Sequence, residues 1–215
     1  MGEPTGPGSS NGACLRGGAT WTFFRQWLRN PLVTAAFAPS GRQLAERMLA
    51  AMPGKPRGVV ELGAGTGVFT EALLASGIAP GALLVVELNE ELHQLLQRRF
   101  PAVQVVCGDA ARLPDIARHT GFGERIPVDA VLSGLGFLSM PRTLQRAILA
   151  AVFEVLAPGG VFVQFTYGPA SPIPRELLDE RGLRVRRAGT AWRNFPPAGV
   201  YVFSRATDAA VLPAA

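Results

Sequence analysis

A glycine-rich turn between an apolar run and a helical pattern is the part of this sequence with the clearest chemical meaning. The run GVVEL at 58–62 stops at Gly63, and Gly65 and Gly67 follow before the pattern VFTEALLASG. This order predicts a buried parallel strand, a tight turn and a helix. Glycine lets such a turn adopt positive φ and lets a ligand approach the backbone. The G-x-G-x-G spacing lacks the extra residue of the dinucleotide motif G-x-G-x-x-G, which favours a nucleoside ligand without phosphates.

Two acidic residues end the next two apolar runs. Glu87 closes GALLVVE, and Asp109 follows VQVVC. Ligands of open α/β sheets bind outside the carboxyl ends of the strands, where Glu87 could accept both ribose hydroxyls and Asp109 an adenine amino group. The alternatives are an architectural glycine turn and ordinary acidic helix caps. The predicted cofactor-binding residues are Glu61, Gly63, Ala64, Gly65, Gly67, Glu87, Asp109, Ala110 and Ser133.

Alternating strand and helix patterns position these residues. A capping-box pattern precedes a first helix at 41–52. Strands are predicted at 58–62, 82–87, 103–106, 128–133 and 161–168, and helices at 67–77, 90–99, 110–118 and 141–156. The last two strands, 183–189 and 199–205, read as an antiparallel edge hairpin. We therefore predict an α/β three-layer sandwich of the Rossmann-like kind, with a mostly parallel seven-stranded sheet.

Composition restricts the class of protein. The chain has 215 residues, of which 48% are hydrophobic, and this suits one domain. Its net charge of +5 comes almost wholly from arginine, which suits the phosphate of lipid or nucleic acid. Cys14 and Cys107 have no metal-ligand spacing, so no metal is expected. No apolar stretch reaches about 20 residues and no signal peptide pattern begins the chain, so we expect a cytoplasmic protein.

The chain divides by composition into four parts. Residues 1–18 are rich in Gly, Pro and Ser and should be disordered, and 206–215 should form a flexible tail. Residues 19–55 should form a helical arm before the main domain at 56–205. Within the arm, Phe24 and Trp27 share one helix face beside Arg25 and Arg29, a pattern typical of helices at a membrane interface. Packing of this stripe on the core is the alternative.

With these motifs in place, the chain resembles the class I S-adenosylmethionine-dependent methyltransferases, and specifically the soluble bacterial phosphatidylethanolamine N-methyltransferases. The resemblance implies S-adenosyl-L-methionine as cofactor, methyl transfer to a phospholipid amine, and peripheral association with the inner face of the membrane. It departs from the family pattern at Gly136 and Ser139, which bears on the shape of the acceptor pocket. The matching stretches are FFRQWLRNPLVTAAFAPSGRQLA, VVELGAGTGVFTEALL, Glu87 with Asn89, GDA at 108–110, SGL at 133–135, FVQFTYGP at 162–169 and WRNFPPA at 192–198.

The resemblance also suggests residues for the acceptor side. Ser133 ends the fourth strand, where such enzymes place the acceptor. Tyr167, at the end of the fifth strand, could offer its hydroxyl or its ring face to the amine. These two are the candidate catalytic residues, because neither His93 nor His119 is a convincing base. The candidate substrate or membrane residues are Phe24, Arg25, Trp27, Arg29, Arg193 and Asn194.

Other functions stay open at this point. An RNA adenine N6-methyltransferase would share the glycine motif and use an arginine-rich surface. Such enzymes end the fourth strand with Asn or Asp, then Pro and an aromatic residue, whereas this chain has SGLGF at 133–137, so nucleic acid is not favoured. A methyltransferase for a small soluble amine, with the arm as a lid, is a second alternative. A binding module without catalysis is a third.

Overall fold

Seven strands form one sheet in a computed structural model of the chain, which describes residues 39–192, 194 and 196–208. The strands are β1 (Gly58–Leu62), β2 (Leu83–Glu87), β3 (Gln104–Cys107), β4 (Val128–Ser133), β5 (Leu156–Thr166), β6 (Leu183–Ala191) and β7 (Ala198–Arg205). Their order across the sheet is β3-β2-β1-β4-β5-β7-β6. The pairs among β1 to β5 are parallel, whereas β7 is antiparallel to both β5 and β6. The predicted fold class is therefore confirmed.

Helices cover both faces of this sheet. They are α1 (Pro39–Ala50), α2 (Val68–Ala75), α3 (Glu90–Arg99), α4 (Leu113–Thr120), α5 (Phe122–Arg125), α6 (Arg142–Val155) and α7 (Arg175–Glu180). Short 3-10 turns occur at Pro80–Ala82, Ala110–Arg112, Phe137–Ser139 and Ala206–Asp208. In the described ranges, no helix combines the length and apolar character needed to cross a membrane.

The core has two layers, one on each face of the sheet. Val60 belongs to the layer that contains Leu149 of α6, and Val59 belongs to the layer that contains Leu44 of α1. Both faces of the sheet are thus buried, and every residue of β1 and β2 is buried. Helices on both faces explain why these strands read as continuous apolar runs in the sequence.

Some element boundaries differ from the sequence prediction. The helix predicted to 156 ends at Val155, and β5 begins at once, so the predicted turn at 158–160 lies inside that strand. The pairing with β4 jumps there from Val128–Leu156 to Ala130–Val161, so the extra residues form a bulge. β5 also ends at Thr166 rather than at 168. The short helix α5 lies in a segment expected to be a loop, and helix α7 lies in a segment for which no element was predicted.

Candidate active site

Glu87 joins the glycine turn to the end of β2. Its Oε2 accepts a hydrogen bond from the backbone N of Gly65, and its Oε1 accepts one from the backbone N of Asn89, each at 2.9 Å. The carboxyl group is buried, and this burial raises its pKa above the usual value. A carboxylate oxygen has two lone pairs, so each oxygen can still accept a ligand hydroxyl. Glu87 therefore fits the role of a ribose-binding residue.

The three glycines of the turn have different structural roles. A Cβ on Gly63 would lie 2.6 Å from Leu135 Cδ2, and one on Gly67 would lie 2.5 Å from Phe100 Cε2. A larger residue at either position would therefore require a neighbouring side chain to shift and would strain a backbone of positive φ. Gly65 also has positive φ, at 58°, but its Cβ would meet nothing within 4 Å. The space beside Gly65 is open, as close approach of a ligand to the backbone requires.

Glu61 is a buried carboxyl group with one oxygen unsatisfied. Thr70 Oγ1 donates to Glu61 Oε2 at 2.7 Å, while Oε1 is buried without a partner among the described residues. Burial, and then the negative charge of Glu87, raise the pKa of Glu61 to about 7. A buried acceptor such as Oε1 of Glu61 normally has a hydrogen-bond donor. The nearby carboxylate of Glu87 also increases the free energy needed to ionise Glu61. A cationic ligand with N–H donors, such as S-adenosyl-L-methionine, fits both features.

The remaining predicted cofactor residues lie around the same edge. Asp109 Oδ1 accepts from the backbone N of Ala111 at 2.9 Å, so this side chain caps the short turn after β3, as the alternative reading expected. Its other oxygen remains available to a ligand. Ser133 is fully buried, and its Oγ accepts from the backbone N of Leu135 at 3.2 Å. Ala64 and Ala110 are also buried, at 7% and 9% exposure.

The segment after β4 touches the glycine turn directly. A Cβ on Gly134 would lie 2.6 Å from the carbonyl oxygen of Gly63, so only glycine fits this contact. The backbone N of Gly134 donates to the carbonyl of Leu62 at 2.8 Å. The acceptor side of the cleft, which begins at Ser133, is therefore attached to the cofactor side.

Tyr167 and Asn194 come together on the acceptor side. Asn194 Nδ2 donates to the Tyr167 hydroxyl at 3.4 Å, and the Tyr167 ring packs edge-on against Phe165 with centroids 5.5 Å apart. Asn194 is 5% exposed, and its Oδ1 has no partner within the described part of the chain. Tyr167 is 37% exposed, so its ring faces solvent in part. The other candidate substrate or membrane residues, Phe24, Arg25, Trp27, Arg29 and Arg193, lie outside the described residues.

Two buried glutamines that the sequence analysis missed hold the segment after β4. Gln164 Nε2 donates to the carbonyl of Leu135 at 2.8 Å, and Gln145 Nε2 donates to the carbonyl of Phe137 at 2.7 Å. Gln164 lies on β5 beside Ser133, and Gln145 lies on α6. The available signal was a polar residue inside the apolar run VFVQF. These side chains fix the backbone that borders the acceptor side.

The geometry so far brings the glycine turn, the buried carboxyl groups of Glu61 and Glu87 and the segment after β4 together at one sheet edge, and comparison with known proteins gives the class. A family model described as a methyltransferase domain matches residues 59–160. The ornithine lipid N-methyltransferase of Singulisphaera acidiphila is 34% identical over 186 residues, which cover 83% of this chain and 92% of that protein. The chain belongs to the class I S-adenosylmethionine-dependent methyltransferases.

Other relatives share the fold or part of the sequence. A ribosomal RNA small subunit methyltransferase A of a Synechococcus strain is 36% identical over 95 residues, but these cover only 43% of this chain and 31% of that enzyme. The glycopeptide N-methyltransferase MtfA, solved with S-adenosyl-L-methionine, superposes with a TM-score of 0.59 at 17% identity, over 79% of this chain and 96% of that one. The cofactor prediction is thus confirmed. No three His, Cys, Asp or Glu side chains of the described ranges converge on a metal site.

Proposed function

We propose that this enzyme methylates the amine of a membrane lipid headgroup. The observation that carries the proposal is the 34% identity to ornithine lipid N-methyltransferase across 92% of that protein, since a shared cofactor domain alone would give a shorter match. The resemblance described above favours phosphatidylethanolamine and its monomethyl and dimethyl forms as substrates. The identity to ornithine lipid N-methyltransferase favours an ornithine lipid instead. Both headgroups present an amine at the bilayer surface.

Positioning is the main contribution of the chain to such a reaction. The bound cofactor supplies an electrophilic methyl group, which an amine lone pair attacks in line. Glu87 and the backbone at Gly65 provide the contacts that hold the nucleoside, and Glu61 provides negative charge against a cation. The contact between Gly134 and Gly63 fixes the distance between the cofactor side and the acceptor side of the cleft.

The chain must also favour the neutral amine. An alkyl ammonium with a pKa near 10 is about three units from neutral pH, so deprotonation costs about 4 kcal/mol. Packing the headgroup against the rings of Phe165 and Tyr167 would desolvate the ammonium and lower its pKa. The Tyr167 hydroxyl, oriented by Asn194, can accept a hydrogen bond from the amine and orient its lone pair. Both catalytic assignments, Tyr167 and Ser133, are part of this proposal.

The N-terminal segment is proposed as an additional membrane contact. Its aromatic and arginine pattern at 20–31 fits a helix that lies in the headgroup layer. The proposed location is the cytoplasmic face of the membrane, to which the enzyme would bind peripherally. This segment lies outside the described residues, so the proposal rests on the sequence alone.

Product identification tests the function directly. The full chain is incubated with radiolabelled S-adenosyl-L-methionine and one acceptor in each of four reactions. The acceptors are phosphatidylethanolamine vesicles, ornithine lipid vesicles, free ethanolamine and ribosomal RNA. We expect label in one of the two lipids and none in ethanolamine or RNA. Label in RNA would establish the nucleic-acid alternative, and label in free ethanolamine alone would establish the soluble-amine alternative.

Replacing Tyr167 tests its catalytic role. Tyr167→Phe keeps the ring against Phe165 but removes the hydroxyl, so kcat should fall by about 10- to 100-fold while cofactor affinity stays unchanged. The matched control is Tyr201→Phe, which alters the other tyrosine, on β7 within the core. Equal kcat for wild type and Tyr167→Phe would remove the hydroxyl from the mechanism.

A further inference from the structure

The most exposed large apolar side chains gather near the acceptor side of the cleft. Within the described ranges, Leu138 is 59% exposed, Trp192 73% and Tyr167 37%. They follow β4, β6 and β5. The two other exposed apolar residues of the described part, Leu95 at 36% and Val185 at 39%, are exposed to about the same extent as Tyr167 but lie elsewhere, on α3 and near the start of β6. The position of the first three beside the candidate site therefore needs an explanation.

The three side chains lie at one edge of the sheet. β4 and β5 are parallel, and β6 runs with β5 because both are antiparallel to β7. A Cβ on Gly168 would lie 2.9 Å from Leu138 Cδ1, so Leu138 is next to the residue that follows Tyr167. Tyr167 in turn contacts Asn194, two residues after Trp192. We name Leu138, Tyr167 and Trp192 the acceptor-edge surface.

The charge around this surface is one-sided. The stretches 130–153, 155–175 and 181–207, which contain the segments after β4, β5 and β6, have no aspartate or glutamate. Arg142 is exposed four residues after Leu138, without a partner among the described residues. Arg187 is exposed too, and its Nη2 donates to Thr190 Oγ1 at 3.0 Å, near the carboxyl end of β6. The acceptor-edge surface is therefore apolar, and the segments that carry it contribute arginines and no acidic side chain.

We propose that the acceptor-edge surface docks on an anionic phospholipid bilayer. Large apolar side chains beside arginines are the combination that partitions into the headgroup layer, with rings and leucine at the acyl boundary and guanidinium groups at phosphate. The inference rests on the proposed lipid substrate and adds how that substrate is reached. Docking would bring the headgroup to the acceptor side of the cleft while the acyl chains stay in the bilayer.

Vesicle flotation of the full chain tests docking without requiring turnover. The probe is phosphatidylcholine vesicles mixed with phosphatidylglycerol, and the variant is Leu138→Ser plus Trp192→Ser. Tyr167 stays unchanged because it is a candidate catalytic residue. Replacing the two apolar side chains that would be buried in the headgroup layer should weaken vesicle binding at least about tenfold. Val185→Ser is the matched control, since Val185 is exposed near the opposite end of β6 and should bind like wild type.

The outcomes separate this inference from the proposed function. Equal vesicle binding by wild type and the double variant would overturn docking, as would wild-type binding to ribosomal RNA but not to vesicles. Methylation of a dispersed short-chain lipid reports the function alone, and the double variant should keep it within about twofold, since these residues lie on the surface. If flotation differs as expected but no lipid is ever methylated, docking stands and the proposed function fails.

Discussion

Removing the charge of Glu61 should make the stability of the protein depend less on pH and should weaken binding of its cofactor. The Glu61→Gln variant can keep the hydrogen bond from Thr70 through the amide oxygen. It cannot ionise, and so it avoids burying a carboxylate beside Glu87. Above pH 7 the wild-type enzyme without cofactor carries this buried charge, and the variant does not.

The size and sign of the effect follow from the pKa of Glu61. It rises from 4.5 to about 7 on folding, so the folded state holds the proton more tightly than the unfolded state. The stabilisation from this proton is fully present below pH 4.5 and is lost as pH rises through about 7. Between pH 5 and pH 8 the loss amounts to about 2–3 kcal/mol, or about 4–12 °C in Tm for a chain of this size.

Urea unfolding of wild type and Glu61→Gln at pH 5 and pH 8, without cofactor, measures this pH-dependent change in the free energy of unfolding. The free energy of unfolding of Glu61→Gln minus that of wild type should be about 2–3 kcal/mol larger at pH 8 than at pH 5. An unpaired amide N–H in the variant lowers both values equally and cancels in the comparison. Glu154→Gln, an exposed carboxyl group on α6, is the control and should show no such change. The same difference at both pH values would refute the argument, as would unchanged cofactor affinity in Glu61→Gln.

Two further substitutions test the turn and the segment after β4. Gly65→Ala should keep the fold, at a loss of about 1–2 kcal/mol from its positive φ, but should abolish the binding of S-adenosylhomocysteine measured by calorimetry. Gly63→Ala, whose Cβ meets Leu135, should lower Tm more than Gly65→Ala. A larger loss of Tm for Gly65→Ala than for Gly63→Ala would show that Gly65 is not at the ligand face. Gln164→Leu removes one of the two hydrogen bonds that the carbonyl of Leu135 accepts and leaves the one from the backbone N of Phe137, so it should cost about 1 kcal/mol in urea unfolding and lower kcat more than it changes cofactor affinity; Gln164→Glu should restore little, because it lacks the N–H donor.

The layers and the mostly parallel sheet were predictable because they follow from alternation. Apolar runs separated by helical patterns fix a parallel sheet, and the hairpin pattern of the last two runs fixes the antiparallel edge. The bounds of β5 were not predictable. Pro158 and Gly159 normally end an element, but here a bulge opposite Val128 accommodates them. Helix α7 was missed because its six residues are too few to show periodicity.

The cofactor side of the site was predictable from residue types, but the contacts that support it were not. Gly65 and Glu87 were named from spacing, and the structure brings the two together through a hydrogen bond. Spacing did not separate a ligand role from the packing of Gly63 and Gly67 or from the capping by Asp109. Arg99, by contrast, donates to the carbonyl of Thr66 at 2.7 Å from the far end of α3. Such a contact depends on how α3 packs against the turn, which sequence spacing does not specify.

The structure divides one sheet edge into two chemically different halves. Glu61, Glu87 and Asp109 place all the carboxylates of the strand ends on the half formed by β1 to β3, which suits a cationic cofactor. Among the described residues, the segments that directly follow β4, β5 and β6 contain no Asp or Glu, so they add no negative charge to their half of the edge. The backbones of Gly134 and Gly63 are in direct contact, so the two halves of the edge meet without a side chain between them. This arrangement suits the proposed reaction, in which a donor cation and an acceptor amine meet across the boundary, each in an environment that suits its charge.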